Sequence, residues 1–454
     1  MRRTLDRPPP LPSSPPGRVP LVGHALSLAR RPLELVQAVR SYGSVVKIYI
    51  GIKPAYFVND PELIRNVLVS RAKEFDKGPL FANARVMVGN GIATSEGELH
   101  RRQRRLIQPA FHRSRIALYA RVMSELAAAR VETWRAGQVV AMNDEMADLA
   151  LAIAAKTLFS ASADEEVNRE VRRWLPIMMK GVFLRAILPF AFLGRLPTPG
   201  NREFNQSLVR LRQIISGIVT ARRRDHRGEA AHDDLLSMLL AARDPESGEA
   251  MTDQQVHDEI ITLMIGGIES TAAALSWAFH ELGRNPGIEE RIQAEVDAAR
   301  IEQASPAEGF PRLEYTTRFI KEVLRLYAPW LLTRRALSTL ELGGVRIPAG
   351  STVLYSPYAV HHDPHLYPDP TRLDPDRWLP DRVQAKSQTA YIPFGAGVHQ
   401  CIGESFAFLE MIIVVATVMG RWRLRPVATR RIYEAVTGAV HPSELPMEVQ
   451  PRHG

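Results

Sequence analysis

The chain has one cysteine, Cys401, set among three glycines in the run Phe394-Gly-Ala-Gly397-Val-His399-Gln-Cys401-Ile-Gly403. Glycines let backbone approach a bound group closely and adopt positive φ. The apolar stretch Glu404–Met419 that follows reads as a buried helix, which places Cys401 at a helix N-terminus. Free N–H groups and the positive dipole end there favour a thiolate. The competing reading is a small buried hydrophobe, the commonest use of a lone cysteine. A structural zinc site needs four ligands, and no Cys-x-x-Cys or His-x-x-x-His partner stands nearby. A single thiolate suits an ion whose other positions a macrocycle fills.

Three further groups could do chemistry. Gly266-Gly267-Ile268-Glu269-Ser270-Thr271 places a carboxylate and two hydroxyls beside two glycines. In a helix interior each glycine costs about 1 kcal/mol relative to alanine, so the space must serve something. That is either a close helix crossing with Glu269 in a buried ion pair or a ligand. Ser270 can hydrogen-bond to the carbonyl of Gly266, one turn back. Glu322 and Arg325 are spaced i, i+3 on a helix; alone, such a pair is ordinary surface decoration. His100 and Arg104, at i, i+4, share one face of the basic run Gly97–Arg105. Arg101, Arg102 and Arg105 of that run read as a solvated face.

Together these segments resemble the cytochrome P450 superfamily. The cysteine run is similar to the haem-binding signature Phe-x-x-Gly-x-Arg-x-Cys-x-Gly, with His399 at the arginine position. Residues 266–271 resemble the oxygen-binding pattern Ala/Gly-Gly-x-Asp/Glu-Thr, with Ser270 at the threonine position. Serine keeps the O–H but lacks the methyl that fixes the rotamer, so proton delivery is expected to persist with more leakage to peroxide. Asp374-Pro-Asp-Arg377-Trp378 is similar to the family's arginine segment. By resemblance, Glu322, Arg325 and Arg377 form a buried structural network. His100, Arg104, Arg334 (or its neighbour Arg335) and His399 contact the haem propionates, joined in the cofactor site by Gly267 and Phe394. Two anionic propionates call for several cationic donors.

The resemblance implies a mainly α fold with a small discontinuous β-sheet subdomain, with haem b between the long central helix and the Cys401 loop. It implies a monooxygenase that inserts one oxygen atom from O2 into a hydrophobic small molecule, with Cys401 on iron and Glu269, Ser270 and Thr271 serving proton delivery. Residues 100–112 and 332–357 resemble actinobacterial terpene hydroxylases of the pentalenene oxygenase type, which points to a terpenoid. Fatty acids and polyketides are the competing substrates, and a haem-thiolate sensor or carrier is the non-oxygenating alternative. Ile265, Ile268, Leu331 and Leu332 are the candidate pocket wall. About fifty residues follow Cys401, so no flavin reductase is expected there. Electrons are expected from a separate ferredoxin and ferredoxin reductase, docking on Arg101, Arg102 and Arg105.

These residues need elements to hold them. Thr252-Asp-Gln-Gln255 resembles a capping box opening a helix to about Gly283, roughly 45 Å long at 1.5 Å per residue. Helix is expected at Pro32–Tyr42 and mainly from Pro61 to about Met419, with loops at 222–232 and 301–311. Val45–Ile50 and Ala55–Val58 read as paired strands, and Leu337–Pro357 and Arg421–Gln450 as extended chain. Trp174–Leu193 is apolar but broken by charges and prolines, too interrupted to span a bilayer; it reads as a lid over the pocket or as packing under a loop. The 454 residues, 45% hydrophobic and 24% charged, show no linker or repeat. A proline-rich tail (1–18) and one domain (19–454) are expected. The first residues lack an apolar core, so neither a signal peptide nor a membrane anchor is expected. With one cysteine, a reducing cytoplasm is the natural setting. The net charge of +9 comes with no nucleic-acid module and suits an acidic protein partner.

Overall fold

A computed structural model describes residues 13–159, 165–187, 191–225, 234–299, 310–427 and 431–452. Most of both expected loops, and residues 1–12 of the tail, lie outside this set. The described end of the tail lies along the first strand: the Lys47 amide donates to Ser13 O (2.9 Å) and Arg18 stacks over the Tyr49 ring.

The long helix runs Asp253–Arg284, about 48 Å at the usual rise, and the Thr252–Gln255 capping box is formed in both directions. It packs along Met142–Phe159 over much of its length and threads two apolar cores. Its first half, to Ile268, lies in a core with Met142–Phe159, Glu165–Ile187 and Pro199–Asp225. From Ala272 onward it belongs to another, with Arg113–Glu132, Glu314–Leu326 and Glu404–Arg421. Residues 266–271 are the seam between them.

The main sheet has five strands in the order Val45–Ile50, Lys53–Val58, Thr352–Tyr355, Leu332–Ala336, Phe75–Asp76. The expected hairpin pairs antiparallel, Val45 opposite Val58. Lys53–Val58 then runs parallel to Thr352–Tyr355, across nearly 300 residues of sequence. Within the extended stretch, Gly343 and Gly344 take positive φ at the turn between Leu340–Leu342 and Val345–Ile347. The closing segment forms Trp422–Pro426, a hairpin of Glu434–Val436 and Val440–Pro442, and Pro446–Pro451. Three departures interrupt the expected helical region: the strand Phe75–Asp76; Val139–Ala141, which pairs with Pro446–Pro451; and Leu332–Ala336, which starts the extended chain five residues before Leu337. The first two are too short to show a period of two.

The apolar segment from Trp174 lies in the helix Glu165–Ile187. Trp174, Leu175, Met178 and Val182 face the core, while Leu184 and Phe192 are exposed. Residues 188–190 lie outside the described set. Among the described residues, Asp253–Arg284 alone is long and apolar enough to cross a membrane, and 72% of its most apolar window is buried inside the fold.

Candidate active site

Cys401 sits at the turn before the helix Glu404–Arg421, and its amide donates to Phe394 O (2.9 Å), closing the loop on itself. Gly395 and Gly397 take positive φ. A Cβ on Gly397 would come within 2.2 Å of Leu68 O, so only glycine allows that approach. The residue lies deep in the fold, yet its own surface is open. Burial is the largest influence on the thiol and pushes its pKa up, against the Gly403 N–H and Arg104, which favour the thiolate. A cation bound at the sulfur would favour the thiolate.

On the long helix, most neighbours of the glycine pair are buried, but Gly266 and Ser270 are exposed. A Cβ on Gly266 or Gly267 would meet nothing within 4 Å. This argues against a tight helix crossing and for a cradle that a ligand fills. Ser270 Oγ donates to Gly266 O at 2.7 Å, as its position predicts. Thr271 is 2% exposed, and its Oγ1 is buried without a hydrogen-bond partner among the described residues. Ser270 is thus the hydroxyl on the open side. Among the described residues Glu269 has no ion-pair partner: its Oε1 accepts from Thr437 Oγ1 (2.7 Å), at the tip of the Glu434–Pro442 hairpin. Ile265 and Ile268 are each 5% exposed within the first core, and Leu331 and Leu332 are partly buried near the sheet.

The cationic residues converge. Arg104 Nη1 donates to Gln400 O (2.8 Å), tying the helix Gly97–Ile107 to the cysteine loop. The His100 and His399 rings meet edge to face, centroids 4.5 Å apart. Arg334 is 5% exposed and turned inward, whereas Arg335 is surface-exposed and pairs with Asp76. That settles which of the two neighbours joins the cluster. The sequence offered no pointer to Lys77. It is 4% exposed, and its Nζ donates to Ile92 O and Ser95 O, each at 2.7 Å. Burial chiefly brings its pKa down to about 7. His100 is pushed down to about 3 by burial, then by Lys77 and Arg104; His399 falls to about 3 by burial, then by Lys77 and His100. The nearby carboxylates, Glu96 and Glu259, are themselves pushed up by burial, Glu259 to about 8. Arg104 and Arg334 are the permanent charges of a buried basic cluster, which fits a dianionic ligand.

Behind the cysteine loop, Glu322 and Arg325 are fully buried. Arg325 donates to both Glu322 oxygens (3.0 and 2.9 Å) and to the carbonyls of His361 and Pro370 (2.8 Å each). Arg377 Nε and Trp378 Nε1 complete the Glu322 carboxylate at 3.2 and 2.9 Å.

The Arg101–Arg105 dock needs correcting. Arg102 bonds Asp244 and Glu249, and Arg105 bonds Asp244 and Glu246. Their charge is spent on a turn some 140 residues away, and Arg101 is paired with Glu98.

The cytochrome P450 family profile matches residues 12–447, nearly the whole chain. The chain belongs to the cytochrome P450 family. Two relatives from Streptomyces melanosporofaciens, cyclooctat-9-en-7-ol 5-monooxygenase and cyclooctatin synthase, are 43% and 42% identical over 96% of this chain and 95% of theirs. Pentalenene oxygenase of Streptomyces avermitilis is 39% identical over 96% of this chain and 97% of its own. Among solved structures, the haem domain of cytochrome P450DA superposes with a TM-score of 0.87 at 25% identity, covering 98% of this chain and 99% of that one. Retinoic acid-bound cyanobacterial CYP120A1 superposes with a TM-score of 0.86 at 24% identity, over 98% and 99%. The expected P450 fold is borne out, and this P450 is a monooxygenase. Membership implies a haem-thiolate iron cofactor, which the open cysteine, the glycine cradle and the basic cluster fit.

Proposed function

We propose that this P450 hydroxylates a terpenoid of secondary metabolism, with haem b held by Cys401. The observation that carries the substrate class is identity of 39–43%, end to end, to three monooxygenases and synthases whose names denote terpenoid chemistry. When bound, the haem supplies the O2 binding and C–H oxidation of its family.

The chain's own residues do the rest. Cys401 supplies the thiolate, and the Phe394–Gly403 loop fixes its direction through the Cys401–Phe394 hydrogen bond. Arg104 and Arg334 neutralise the propionates, with Lys77, His100 and His399 as further donors. An anion beside the two histidines opposes the burial that keeps them neutral. Ser270 donates its hydroxyl hydrogen to Gly266 O, which leaves its oxygen lone pairs free to accept a hydrogen bond from water; to relay a proton the hydroxyl turns from Gly266 O and donates its own hydrogen onward as it accepts one from that water. Glu269 is the acid that resupplies that path. The pocket wall draws on Ile265, Ile268, Leu331 and Leu332. O2 and a hydrophobic small molecule are the reactants.

Electrons come from a separate ferredoxin and its reductase, attracted by the overall positive charge and not by the neutralised Arg102 and Arg105. The working unit is residues 19–454, placed in the cytoplasm.

The test is the spectrum of the reduced, carbon-monoxide-bound protein, followed by titration with cyclic diterpenes and sesquiterpenes alongside fatty acids. A thiolate-type spectrum, lost in Cys401→Ser, with a spin shift for terpenes alone is the expected result. A histidine-type spectrum overturns the ligand assignment. A spin shift confined to fatty acids overturns the substrate class.

A further inference from the structure

We propose that Thr437 is a positioning residue for the acid Glu269, so that the C-terminal hairpin sets the state of the proton path. This rests on the reading of Glu269 as proton donor. Thr437 lies 168 residues from Glu269 in sequence, at the tip of the Glu434–Val436 and Val440–Pro442 hairpin. Its Oγ1 donates to Glu269 Oε1 at 2.7 Å. A Cβ on the next residue, Gly438, would fall 3.0 Å from Glu269 Oε2 and 3.0 Å from Met179 Cε. The hairpin tip therefore bonds the carboxylate at Oε1 and leaves little room beside Oε2, so a side chain at 438 would displace it by a few tenths of an ångström.

The hairpin is built to hold that tip in place. Trp330 Nε1 donates to Thr437 O (3.2 Å), Trp277 Nε1 to Val440 O (3.0 Å) and Tyr358 Oη to Glu434 Oε2 (2.9 Å). Trp277 belongs to the same long helix as Glu269, so the far strand of the hairpin is tied to that helix while its tip meets the carboxylate. The Thr437 hydroxyl holds the carboxylate toward the hairpin, while Ser270, one residue on, faces the open side. Glu269 must exchange Thr437 for water or Ser270 to resupply a proton. Anything that shifts the hairpin tip, a bound substrate included, sets how readily this happens.

The test uses the haem-loaded enzyme with a surrogate ferredoxin system and compares Thr437→Val, Thr437→Ser and Glu269→Gln. Thr437→Val removes the donor at nearly constant volume. We expect its kcat and product formed per reducing equivalent to change by about tenfold, the size of one hydrogen bond to a charged group. The substrate dissociation constant should stay within about twofold, and Thr437→Ser should restore wild-type behaviour. The carboxyl infrared band that Glu269→Gln removes should shift in Thr437→Val and return in Thr437→Ser. That readout is independent of turnover. If Glu269→Gln alters coupling but Thr437→Val matches wild type in rate and infrared band, the positioning role is overturned. A rise in dissociation constant with kcat intact overturns it too, making Thr437 a pocket wall. If Glu269→Gln itself leaves coupling unchanged, the acid assignment falls instead, whatever the infrared band shows.

Discussion

Arg334 and Arg335 are adjacent, chemically identical, and strand alternation sends them to opposite faces. Arg334 turns in beside Tyr355 and Arg335 out to Asp76. Arg334→Gln should speed haem loss to apomyoglobin about tenfold or more, the value of a charge-assisted hydrogen bond. Arg335→Gln should leave it within about twofold, since exposed pairs contribute little. Equal rates for the two variants would contradict the placement of Arg334. The same contrast separates what could be read from sequence from what could not. Cys401, Glu269, Ser270 and Arg104 sit in short runs whose spacing carries their chemistry. Lys77 and Thr437 stand in no such run: each reaches the site through the fold, Lys77 by two backbone carbonyls and Thr437 from a hairpin 168 residues away. A lone buried lysine and a lone threonine leave no periodic trace.

Elements, too, divide by whether their partners are local. The long helix was legible to within a residue because its capping box, glycines and following proline are contiguous. The basic face of Gly97–Ile107 was not, because the carboxylates that neutralise Arg102 and Arg105 arrive from Asp244–Glu249. Glu322-x-x-Arg325 is the converse case. Its spacing is that of a surface pair, yet both residues are fully buried, and the pair joins the helix Glu314–Leu326 to the 369–378 segment. Removing one partner of a buried pair strands the other's charge, at about 3–5 kcal/mol. Glu322→Gln should therefore lower the thermal unfolding midpoint and the yield of haem-loaded protein. The fraction that does fold should keep a wild-type carbon-monoxide spectrum, because Glu322 acts on the architecture and not on the ligand. An unchanged midpoint would return the pair to surface decoration.

At the scale of the whole molecule, acid is the expected weakness. His361, His362 and His280 are buried, and burial pushes them down from 6.5 to about 3, 4 and 4. His361 is also wired in place as a neutral ring, its Nδ1–H donating to Arg325 O and its Nε2 accepting from the Ile392 amide. A depressed folded-state value means that the unfolded chain binds more protons between about pH 3 and 6.5. Their stabilisation is therefore complete above pH 6.5 and drains away as pH falls toward 4. The unfolding midpoint should drop across that window, less steeply in His361→Gln; a flat profile would mean these rings are not held neutral. The fold class was legible because one long apolar helix and a scattered set of short strands exclude an alternating β-α architecture. The parallel pairing of Lys53–Val58 with Thr352–Tyr355 was not, since register between distant strands has no local sign. The seam at residues 266–271 has a mechanical meaning as well. Two glycines, and a serine bonded back to the chain, interrupt a rod clamped at both ends by separate cores. Bending strain from either half will collect at this one compliant joint, and a ligand lying against it acts as a splint.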